Sequence, residues 1–436
     1  MKTGRLKMVR VPKVWGEEHW IVNKQYCGKK LILKKNFQCS IHSHKEKDET
    51  FYVQSGLVRM EVNNKVHVMK PGDSITILPN TPHRFTGLED SEIFEFSTTH
   101  KEEDSYRTTT SRHIDAGRFA REEEIIKRFN KTRVLVVGDI MLDTYLHGLV
   151  ERLSVEAPVP VLRYEHKTHA PGGAANAART IASLGGKVTL VGVCGKDQAA
   201  TIVRTELRKA HIRAELLIDS TRSTTEKQRL AIKGYQQIAR LDYETVKPLS
   251  ASLEKKLIAH VRALMKNNDA LLLSDYAKGV FSPSVLAACI AVAKRAGKPV
   301  LLGPKPANPA YLGAVKGVTL FVPNRVEAQV LGGDKTPPVL ARWLSKTLGS
   351  NVLVTMGDKG MLLAEKGKKL LHIPTVARSV VDITGAGDTV IATCTLALAA
   401  GATFADAADL ANRAAGIVVS KPGTAAPRKE ELINSL

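Results

Sequence analysis

The chain has 436 residues, of which 43% are hydrophobic and 25% are charged, and its formal net charge at pH 7 is +21. This length exceeds one ordinary hydrophobic core and predicts two or three domains, while the composition excludes a disordered or fibrous chain. Aromatic residues make up only 5%, and basic residues are interspersed with acidic ones. The charge therefore favours attraction of small anions over specific binding of nucleic acid.

The five cysteines are scattered and lack CxxC spacing, which argues against a disulfide framework or a zinc knuckle. No apolar run approaches the roughly 20 residues of a membrane helix, and no signal-like apolar stretch follows the basic start. We therefore predict a cytoplasmic protein whose partners are small molecules, without membrane or specific nucleic-acid binding. A homodimer is left open.

The first part of the chain alternates polar and apolar residues with the two-residue period of strands, which predicts an all-β unit. Within it, residues 41–51 read "IHSHKEKDETF". His42 and His44 fall on one strand face, Glu49 follows, and a Pro-Gly-Asp turn leads to a further strand near His83. Three imidazoles and one carboxylate suit a divalent transition metal, whose identity the pattern leaves open.

The segments around these four residues fit the patterns HxHx(4)Ex(6)G and PGDx(5)PxxPH. They resemble the two motifs of the cupin family. The resemblance implies a β-barrel over residues 1–110 that holds a metal on the same four side chains. Flanking residues are similar to sugar-phosphate isomerases of that family, which makes Lys34 and Glu95 candidates for proton transfer.

A polar stretch over residues 100–113 is predicted as a connector. Residues 111–131 are predicted as a linker and leading helix, because Phe119, Ile125 and Phe129 lie at helical spacing.

After this helix, continuous apolar strands alternate with helical stretches. The strands are "RVLVVGD", "KVTLVGV", "ALLLSDY", "PVLLG", "TLFVPN" and "NVLVTMG". Such runs are typical of strands buried on both faces of a parallel sheet with crossover helices. They predict a doubly wound α/β domain over residues 132–436, with its site at the carboxyl ends of the strands.

The sequence "ITGAGDTV" predicts a tight turn into a helix. Gly385, Ala386 and Gly387 would supply N–H groups that form an anion hole at the helix start. Asp388 is suited to take the proton of an attacking hydroxyl during phosphoryl transfer. A glycine turn with a capping Asp explains the same residues without catalysis, so the remaining motifs decide between the two interpretations.

Two further sets favour a phosphate site. Asn324 and Glu327 of "VPNRVEA" lie three apart after a strand, where such a pair can organise hydrated Mg²⁺. Gly172 and Gly173 precede a helix of small residues whose first turn carries Asn176. Close packing explains the small residues but not the polar asparagine.

Two acids, Asp139 and Asp143 of "GDIMLD", lie at the end of the first predicted apolar strand, where acids usually face a ligand or cap the backbone. Lys278 of "SDYAKG" is a candidate phosphate contact. A solvated lysine at a strand end explains it equally well.

Together these segments resemble the ribokinase-like sugar kinases, the PfkB family of carbohydrate kinases, over residues 132–436. The resemblance implies a doubly wound, mostly parallel sheet with a small β lid, a requirement for ATP and Mg²⁺, and Asp388 as catalytic base. It also implies that ATP and its metal lie on Asn324, Arg325, Val326 and Glu327, and the sugar on Asp143, Gly172, Gly173 and Asn176.

The segments "GDIMLDTYLHGLVERLSVEAPVPV" and "PGGAANAARTIASLGG" further resemble heptose-7-phosphate kinases of ADP-heptose biosynthesis. This implies phosphorylation of the anomeric hydroxyl of D-glycero-D-manno-heptose 7-phosphate. Gly303 replaces the acid of the family's Asp-Pro-Lys, which is expected to alter activity or substrate preference. The alternatives are a kinase for a different sugar and a kinase-fold sensor with little turnover. The cupin would either isomerise a sugar phosphate or only bind one.

Overall fold

The computed structural model of the chain describes residues 7–63, 65–114, 116–232, 236–377 and 379–436. These residues fall into two compact units, one ending at Arg121 and the other starting at Glu122. Within the described ranges, no helix combines the length and the apolar surface that crossing a membrane requires.

The first unit consists of two antiparallel sheets, as the two-residue period predicts. Its described strands are β1 (Val9–Lys13), β2 (Gly16–Asn23), β3 (Tyr26–Leu33), β4 (Phe37–Gln38), β5 (His42–Ser43), β6 (Glu49–Ser55), β7 (Val58–Val62), β8 (Lys65–Met69), β9 (Ser74–Ile77), β10 (His83–Gly87), β11 (Ser91–Thr98), β12 (Tyr106–Arg107) and β13 (Arg112–His113). One sheet has the order β1-β2-β3-β11-β6-β9. The other has the order β12-β5-β10-β4-β13, with β7 and β8 joined through β10.

Alternating side chains of these strands build the core of the first unit. On β6, Glu49, Phe51 and Val53 are buried, while the residues between them are partly exposed. Trp15 packs edge-to-face against Phe85 with ring centroids 5.0 Å apart. Burial of such large rings stabilises a small unit strongly. The same alternation that buries Phe51 turns the Glu49 carboxylate inward.

The polar stretch over residues 100–113 belongs to this unit. β12 pairs with β5 and β13 pairs with β4, so both extend the second sheet. Asp104 is buried and accepts hydrogen bonds from the backbone N–H groups of residues 45–47 at 2.8 to 3.2 Å. The connector prediction is therefore wrong, and the linker predicted over residues 111–131 starts inside the sheet. Short polar strands carry no apolar pattern from which they can be recognised.

Helix α1 (Ala116–Arg128) precedes the α/β part of the chain; the sequence predicts its start at Asp115, which lies outside the described residues. Phe119, Ile125 and Phe129 are buried, as their spacing predicts. The remaining helices are α2 (Ala174–Ser183), α3 (Gln198–Lys209), α4 (Ala251–Met265), α5 (Pro283–Arg295), α6 (Tyr311–Ala314), α7 (Arg325–Gly332), α8 (Pro337–Leu348), α9 (Ala386–Ala399), α10 (Phe404–Val419) and α11 (Lys429–Ser435).

The strands of the second unit alternate with these helices. They are β14 (Arg133–Leu153), β15 (Pro160–Gly173), β16 (Lys187–Cys194), β17 (Arg213–Ile218), β18 (Thr225–Ile232), β19 (Gln236–Tyr243), β20 (Ala270–Ser274), β21 (Val300–Gly303), β22 (Leu320–Phe321), β23 (Asn351–Thr355), β24 (Met361–Ala364) and β25 (Leu371–Ile373). The six apolar strands predicted from the sequence are all present.

The central sheet has the order β17-β16-β14-β20-β21-β22-β23-β24-β25. It is parallel from β17 to β23 and antiparallel at its last two strands. Leu135, Leu271 and Leu302 of the strands share one buried cluster with Val261 and Leu286 of the helices. The mostly parallel, helix-covered sheet confirms the prediction from the alternating pattern.

Strand β14 is longer than predicted. Up to Asp139 it pairs with β16 in the central sheet; beyond that point it continues to Leu153 and pairs with β15 and β18. β19 adds to β18 in this smaller, largely exposed sheet. Asp139 and Asp143 therefore lie within a continuous strand, at its passage from one sheet to the other, and not at a strand end. The function of the smaller sheet as a lid stays a prediction.

Candidate phosphoryl-transfer site and metal centre

Helix α9 starts at the predicted glycine turn. Gly385 has a left-handed backbone (φ 81°) and precedes the first helical residue, Ala386. A Cβ at Gly385 would lie 2.7 Å from Nδ2 of Asn176, so only glycine fits this approach without strain. Gly387 and Asp388 follow in the first turn, near the positive end of the helix dipole, which favours an anion, whereas the Ala386 N–H donates to the Ile383 carbonyl at 3.2 Å. Binding of a phosphoryl group at this predicted anion hole stays a prediction.

The Asp388 carboxylate is buried and held on both oxygens. Nδ2 of Asn176 donates to its Oδ2 at 2.9 Å, and the Tyr276 hydroxyl donates to its Oδ1. Burial raises the pKa of Asp388 to about 6, against the lowering effect of these two hydrogen bonds. A carboxyl group that titrates near neutral pH is suited to accept a proton in catalysis.

The predicted sugar-binding residues lie together beside Asp388. Gly172 and Gly173 end β15, and Asn176 lies on the first turn of α2. A Cβ at Gly172 would lie 2.8 Å from Oδ2 of Asp143, so glycine keeps the space next to this carboxylate open. The structure brings the four residues together, and their contact with a sugar stays a prediction.

Asp143 is already paired within the second unit. Nη1 of Arg229 lies 2.5 Å from its Oδ1, and the Thr424 hydroxyl donates to its Oδ2 at 3.3 Å. The Arg229 guanidinium also lies over the ring of Tyr145. A ligand that approaches Asp143 therefore meets a neutralised carboxylate and a guanidinium together.

A cavity of about 230 Å³ adjoins Asp388 and receives polar groups from Asp275, Lys305, Asn324 and Glu327. Asn324 and Glu327 form a capping box at the start of α7, in which each side chain accepts the other's backbone N–H at 2.9 Å. Nζ of Lys305 lies 3.2 Å from Oε1 of Glu327. The predicted Mg²⁺ pair thus faces the cavity with part of its acceptor capacity used by the helix start.

Arg325 and Val326, predicted to contact ATP, line a larger cleft of about 1100 Å³ together with Asn324. The Val326 side chain is 61% exposed. Exposed apolar surface in a cleft suits a flat ligand such as a nucleotide base. Contact of these residues with ATP stays a prediction.

Gly303 ends β21 without the acid expected there, but the neighbouring strand brings one to the same edge. The backbone N–H of Asp275 donates to the Gly303 carbonyl at 3.0 Å, and the Asp275 carboxylate lines the cavity beside Asp388. The Tyr311 hydroxyl donates to this carboxylate at 2.5 Å. Burial raises the pKa of Asp275 to about 6.

Two other predicted polar residues have partners of their own. Asp139 accepts hydrogen bonds from the N–H groups of Tyr276, Lys278 and Val280 at 2.8 to 3.2 Å, and so fixes the loop after β20. Nζ of Lys278 lies 2.8 Å from Oε2 of Glu244. The predicted phosphate contact of Lys278 gains no support from this position.

In the first unit, His42, His44, Glu49 and His83 each offer a ligand atom, and these atoms lie within 4.8 Å of one another. β5 starts with His42, β6 with Glu49 and β10 with His83, so three strands meet at this point. The convergence that the spacing predicts is therefore present.

Hydrogen bonds orient the three histidine rings of this cluster so that each Nε2 is the candidate metal-binding nitrogen. Nδ1 of each histidine lies 2.8 to 2.9 Å from a backbone carbonyl oxygen, that of Ser40, Asp104 or Thr81. A ring that donates from Nδ1 keeps its lone pair on Nε2, the atom that would bind a metal. Burial lowers the pKa of His42 to about 3, which keeps this ring neutral.

Two buried atoms of this cluster make no well-formed hydrogen bond in the described part of the chain. They are Oε1 of Glu49 and Nε2 of His83, which lie 2.9 Å apart. Buried polar atoms without partners cost free energy, and a cation bound between them would satisfy both. Three imidazoles and one carboxylate therefore fit a divalent transition metal.

A cavity of about 450 Å³ opens beside these ligands. Nζ of Lys47 lies in it, 2.6 Å from Oε2 of Glu49 and 2.5 Å from Oε1 of Glu95. Burial alone would lower the pKa of Lys47, but the two carboxylates have the larger combined effect, so the pKa of Lys47 is raised. Glu95, a predicted candidate for proton transfer, thus lines the cavity, whereas Lys34 is exposed and does not.

The doubly wound sheet, the glycine turn into α9 and the buried Asp388 define the ribokinase-like class of carbohydrate kinases. Residues 131–431 match the family model for pfkB family carbohydrate kinases, and residues 31–97 match that for the cupin domain. The chain belongs to the pfkB family of carbohydrate kinases and carries a cupin domain ahead of the kinase domain.

Curated relatives include several proteins named bifunctional protein HldE. That of Caulobacter sp. (strain K31) is 43% identical over 315 residues, which are 70% of this chain and 63% of the relative. That of Gluconobacter oxydans (strain 621H) is 40% identical over 319 residues, which are 72% of this chain and 66% of the relative. The chain thus spans slightly less than two thirds of the length of these relatives.

Solved structures with a similar fold include the ribokinase of Arabidopsis thaliana complexed with ribose and ATP. It has a TM-score of 0.54 and 21% identity, and the match covers 70% of this chain and 98% of that one. Phosphofructokinase-2 from Escherichia coli in complex with potassium has a TM-score of 0.59 and 18% identity, over 69% and 97% of the two chains. At these identities the likeness establishes the fold alone.

Sequence reasoning missed several polar side chains around the two sites. Tyr276 stands in the segment "LSDYAKG", in which the sequence pattern indicates only the lysine as a candidate contact. Arg179 lies three residues after Asn176, a spacing that places both on one helix face. Lys47 lies two residues before Glu49, although the chain between them is not a regular strand. No local sequence pattern indicates Arg229, because only the pairing of β18 with β14 in the sheet brings it to Asp143.

Proposed function

We propose that the second unit is an ATP-dependent kinase that phosphorylates the anomeric hydroxyl of D-glycero-D-manno-heptose 7-phosphate in cytoplasmic ADP-heptose biosynthesis. The observation that carries the proposal is the buried Asp388 carboxylate in the first turn of α9, with a pKa near neutrality. The choice of sugar rests on the resemblance of residues 138–161 and 171–186 to heptose-7-phosphate kinases. The identity of about 40% to proteins named bifunctional protein HldE supports the same choice.

In this mechanism Asp388 accepts the proton of the sugar hydroxyl while the hydroxyl oxygen attacks the γ-phosphorus of ATP. A bond forms between the sugar oxygen and phosphorus, the bond from phosphorus to the β,γ-bridging oxygen breaks, and ADP leaves with that electron pair. The N–H groups of Gly385 and Gly387 stabilise the charge of the transferred group, while that of Ala386 donates to the Ile383 carbonyl at 3.2 Å. Asp143 and the residues around it hold the sugar.

Asn324 and Glu327 are the residues of this chain that would hold Mg²⁺, through its hydration shell. Bound Mg²⁺ neutralises charge on the nucleotide phosphates. The capping box uses one acceptor position of each side chain, so lone pairs remain for the water molecules of a hydrated ion. Arg325 and Val326 border the cleft in which ATP would lie.

ATP consumption with a panel of sugar phosphates tests this function, with the whole chain run beside Asp388→Asn. We expect heptose 7-phosphate to give the highest kcat/KM and the Asn variant to lose turnover. Higher kcat/KM with another sugar would identify a kinase for that sugar. Tight sugar-phosphate binding without turnover would identify a sensor. Gly303 favours this alternative, because a glycine at this position lacks the acid of the family's motif.

For the first unit we propose a metal-binding cupin that isomerises or binds a sugar phosphate. Oε1 of Glu49 and Nε2 of His83, which lack a well-formed hydrogen bond among the described residues, support the metal, and the cavity with Lys47 and Glu95 supports a polar ligand. Isomerisation would supply the aldose phosphate that the kinase consumes.

Incubation of the whole chain with the corresponding ketose phosphate, without ATP, separates the two roles of the cupin. Aldose formation that is lost in His42→Ala/His44→Ala identifies an isomerase. Saturable binding of the sugar phosphate without conversion identifies a binding unit. Absence of both would refute the proposed ligand class.

A further inference from the structure

The catalytic carboxylate of the second unit is contacted from two separate elements. Asn176 reaches Oδ2 of Asp388 from helix α2, and Tyr276 reaches Oδ1 from the loop that follows β20. The Asn176 side chain is fully buried, as is the Asp388 carboxylate itself apart from a small exposed fraction. Neither water nor rotation of the carboxylate can easily replace such paired contacts.

A third residue determines which way the Asn176 amide points. Nη2 of Arg179 donates to Oδ1 of Asn176 at 2.9 Å and to the Thr424 carbonyl at 2.6 Å. A guanidinium only donates, so it selects the oxygen side of the amide. The NH₂ group of Asn176 must then face Asp388. With the amide reversed, its oxygen would face a carboxylate oxygen and repel it.

We propose that Tyr276, Asn176 and Arg179 form a carboxylate clamp that fixes Asp388 for phosphoryl transfer, with Tyr276 and Arg179 as positioning residues. The clamp rests on the proposed kinase function. It occupies one acceptor position on each Asp388 oxygen, and each oxygen retains a second lone pair. The sugar hydroxyl donates to one of these remaining positions, in an orientation that the clamp has already set.

The electrostatic surroundings indicate that Asp388, and not a residue of the clamp, accepts the proton of the sugar hydroxyl. Burial raises the pKa of Tyr276 well above its ordinary value, so its hydroxyl remains a donor at all working pH values. Burial is the main cause that raises the pKa of Asp388; among its charged neighbours, Asp143 on β14 raises this pKa and Arg179 on α2 lowers it. Loss of the Tyr276 hydroxyl removes a hydrogen bond that favours the ionised carboxylate, so the pKa of Asp388 must then rise.

Tyr276→Phe tests the clamp, since it removes only the hydroxyl. We expect kcat to fall by about 10- to 100-fold, because a misplaced base loses that much rate, while KM for ATP stays unchanged. The acid limb of the pH–rate profile should move to higher pH. Ser345→Ala is the control: it removes a buried hydroxyl of α8 that donates to the Ser350 carbonyl and should leave the titration of Asp388 unchanged.

A ¹³C NMR titration of the aspartate carboxyl carbons measures the same effect without turnover. The signal that disappears in Asp388→Asn identifies Asp388, and in Tyr276→Phe it should titrate at higher pH than in the wild type. An unchanged titration would overturn the clamp and leave Tyr276 as a packing residue. Failure of the proposed kinase function is a separate result, seen as no Asp388-dependent turnover with any sugar phosphate.

A double-mutant cycle tests the role of Arg179 and does not depend on the folding of Tyr276→Phe. If Arg179 acts through Asn176, Arg179→Met and Asn176→Ala should each lower kcat, and the double variant should be no slower than Asn176→Ala. Arg179→Lys, which can still donate to the amide oxygen, should recover part of the rate. Additive losses would show that Arg179 does not act through Asn176 and would overturn this part of the clamp.

Discussion

The two candidate sites differ in the hydrogen bonding of their buried polar atoms. In the first unit, Oε1 of Glu49 and Nε2 of His83 are buried without a well-formed hydrogen bond in the described residues. In the second unit, both oxygens of Asp388 accept hydrogen bonds from neighbouring side chains. The proposed ion would therefore complete the first site, whereas the carboxylate of the second is oriented by the protein alone.

From this difference we can predict which perturbation should affect each site. A site completed by an ion should respond to removal of that ion or of its ligands. A site assembled from side chains should respond to changes of single hydrogen-bonding groups and to pH. If the two units act independently, each perturbation should affect only its own site.

Asp388→Asn should have the largest effect. The amide cannot accept the proton, so phosphoryl transfer should fall by about 10²- to 10⁴-fold or more, while ATP binding stays nearly unchanged. Steady-state kinetics and an ATP titration measure the two. Asp269→Asn is a matched control, because Asp269 binds the Arg133 N–H at the amino end of β20, at the edge of the sheet away from the site. Wild-type turnover in the Asp388 variant would contradict the assignment.

Replacing His42 and His44 together with Ala should remove the metal. Elemental analysis should find about one transition-metal ion per subunit in the wild type and almost none in the double variant. His67→Ala, at an exposed histidine of the same unit, should retain the metal. Phosphoryl transfer should persist in all three proteins. Metal retained in the double variant would refute the centre, and lost kinase activity would refute the independence of the units.

The pH dependence of kcat/KM should follow Asp388. Its pKa is raised to about 6 by burial, and only the ionised form accepts a proton. The rate should therefore be level above this pH and fall about tenfold per unit well below it. The metal content over the same neutral range should not follow this profile. A rate that is constant through pH 6, or that rises on acidification, would exclude Asp388 as the base.

Glu327→Gln should have a smaller effect. The change removes a charge near the proposed hydrated Mg²⁺, and loss of such a partner typically weakens metal binding by about 10- to 100-fold. Kinase assays over a range of Mg²⁺ concentrations should show a higher requirement with a similar maximal rate. Glu430→Gln, at an exposed glutamate in α11, is the control. An unchanged Mg²⁺ titration would count against the assignment of Glu327.

The weakest expected effect concerns nucleic acid. The net charge of +21 should give only weak, sequence-independent DNA binding that falls steeply with salt as counterions are released. Gel-shift or anisotropy titrations at two salt concentrations measure this. Salt-resistant and sequence-specific binding would overturn the prediction that the charge attracts small anions.

Much of the fold follows from the sequence because apolar periodicity reports burial directly. The run "RVLVVGD" is buried on both faces and indicates a parallel strand, whereas β6 alternates and indicates a half-buried one. Apolar periodicity does not indicate β12 and β13, because these strands are two residues long and polar. It also misses the second half of β14, whose side chains become exposed as the strand leaves the central sheet.

The residues of the two sites likewise divide into those that the sequence predicts and those that it does not. His42, His44 and Asp388 stand in local motifs that indicate their chemistry once the other motifs of the same domain are read with them. Tyr276 and Arg229 act through contacts across 112 and 86 positions of the chain, and no local pattern records such distances. The residues that orient a catalytic group are therefore harder to predict than the group itself, because their partners are set by the sheet order.

Asp104 bears on how the chain can be divided. It lies beyond residues 31–97, which the cupin family model matches, yet its carboxylate holds the loop between His44 and Glu49 and its carbonyl holds the His44 ring. A fragment cut at residue 97 would contain the four proposed ligands but lack the residue that orients His44 and the loop before Glu49. The functional boundary of this unit is thus defined by hydrogen bonding to the loop between His44 and Glu49, and a recombinant cupin should extend past β13.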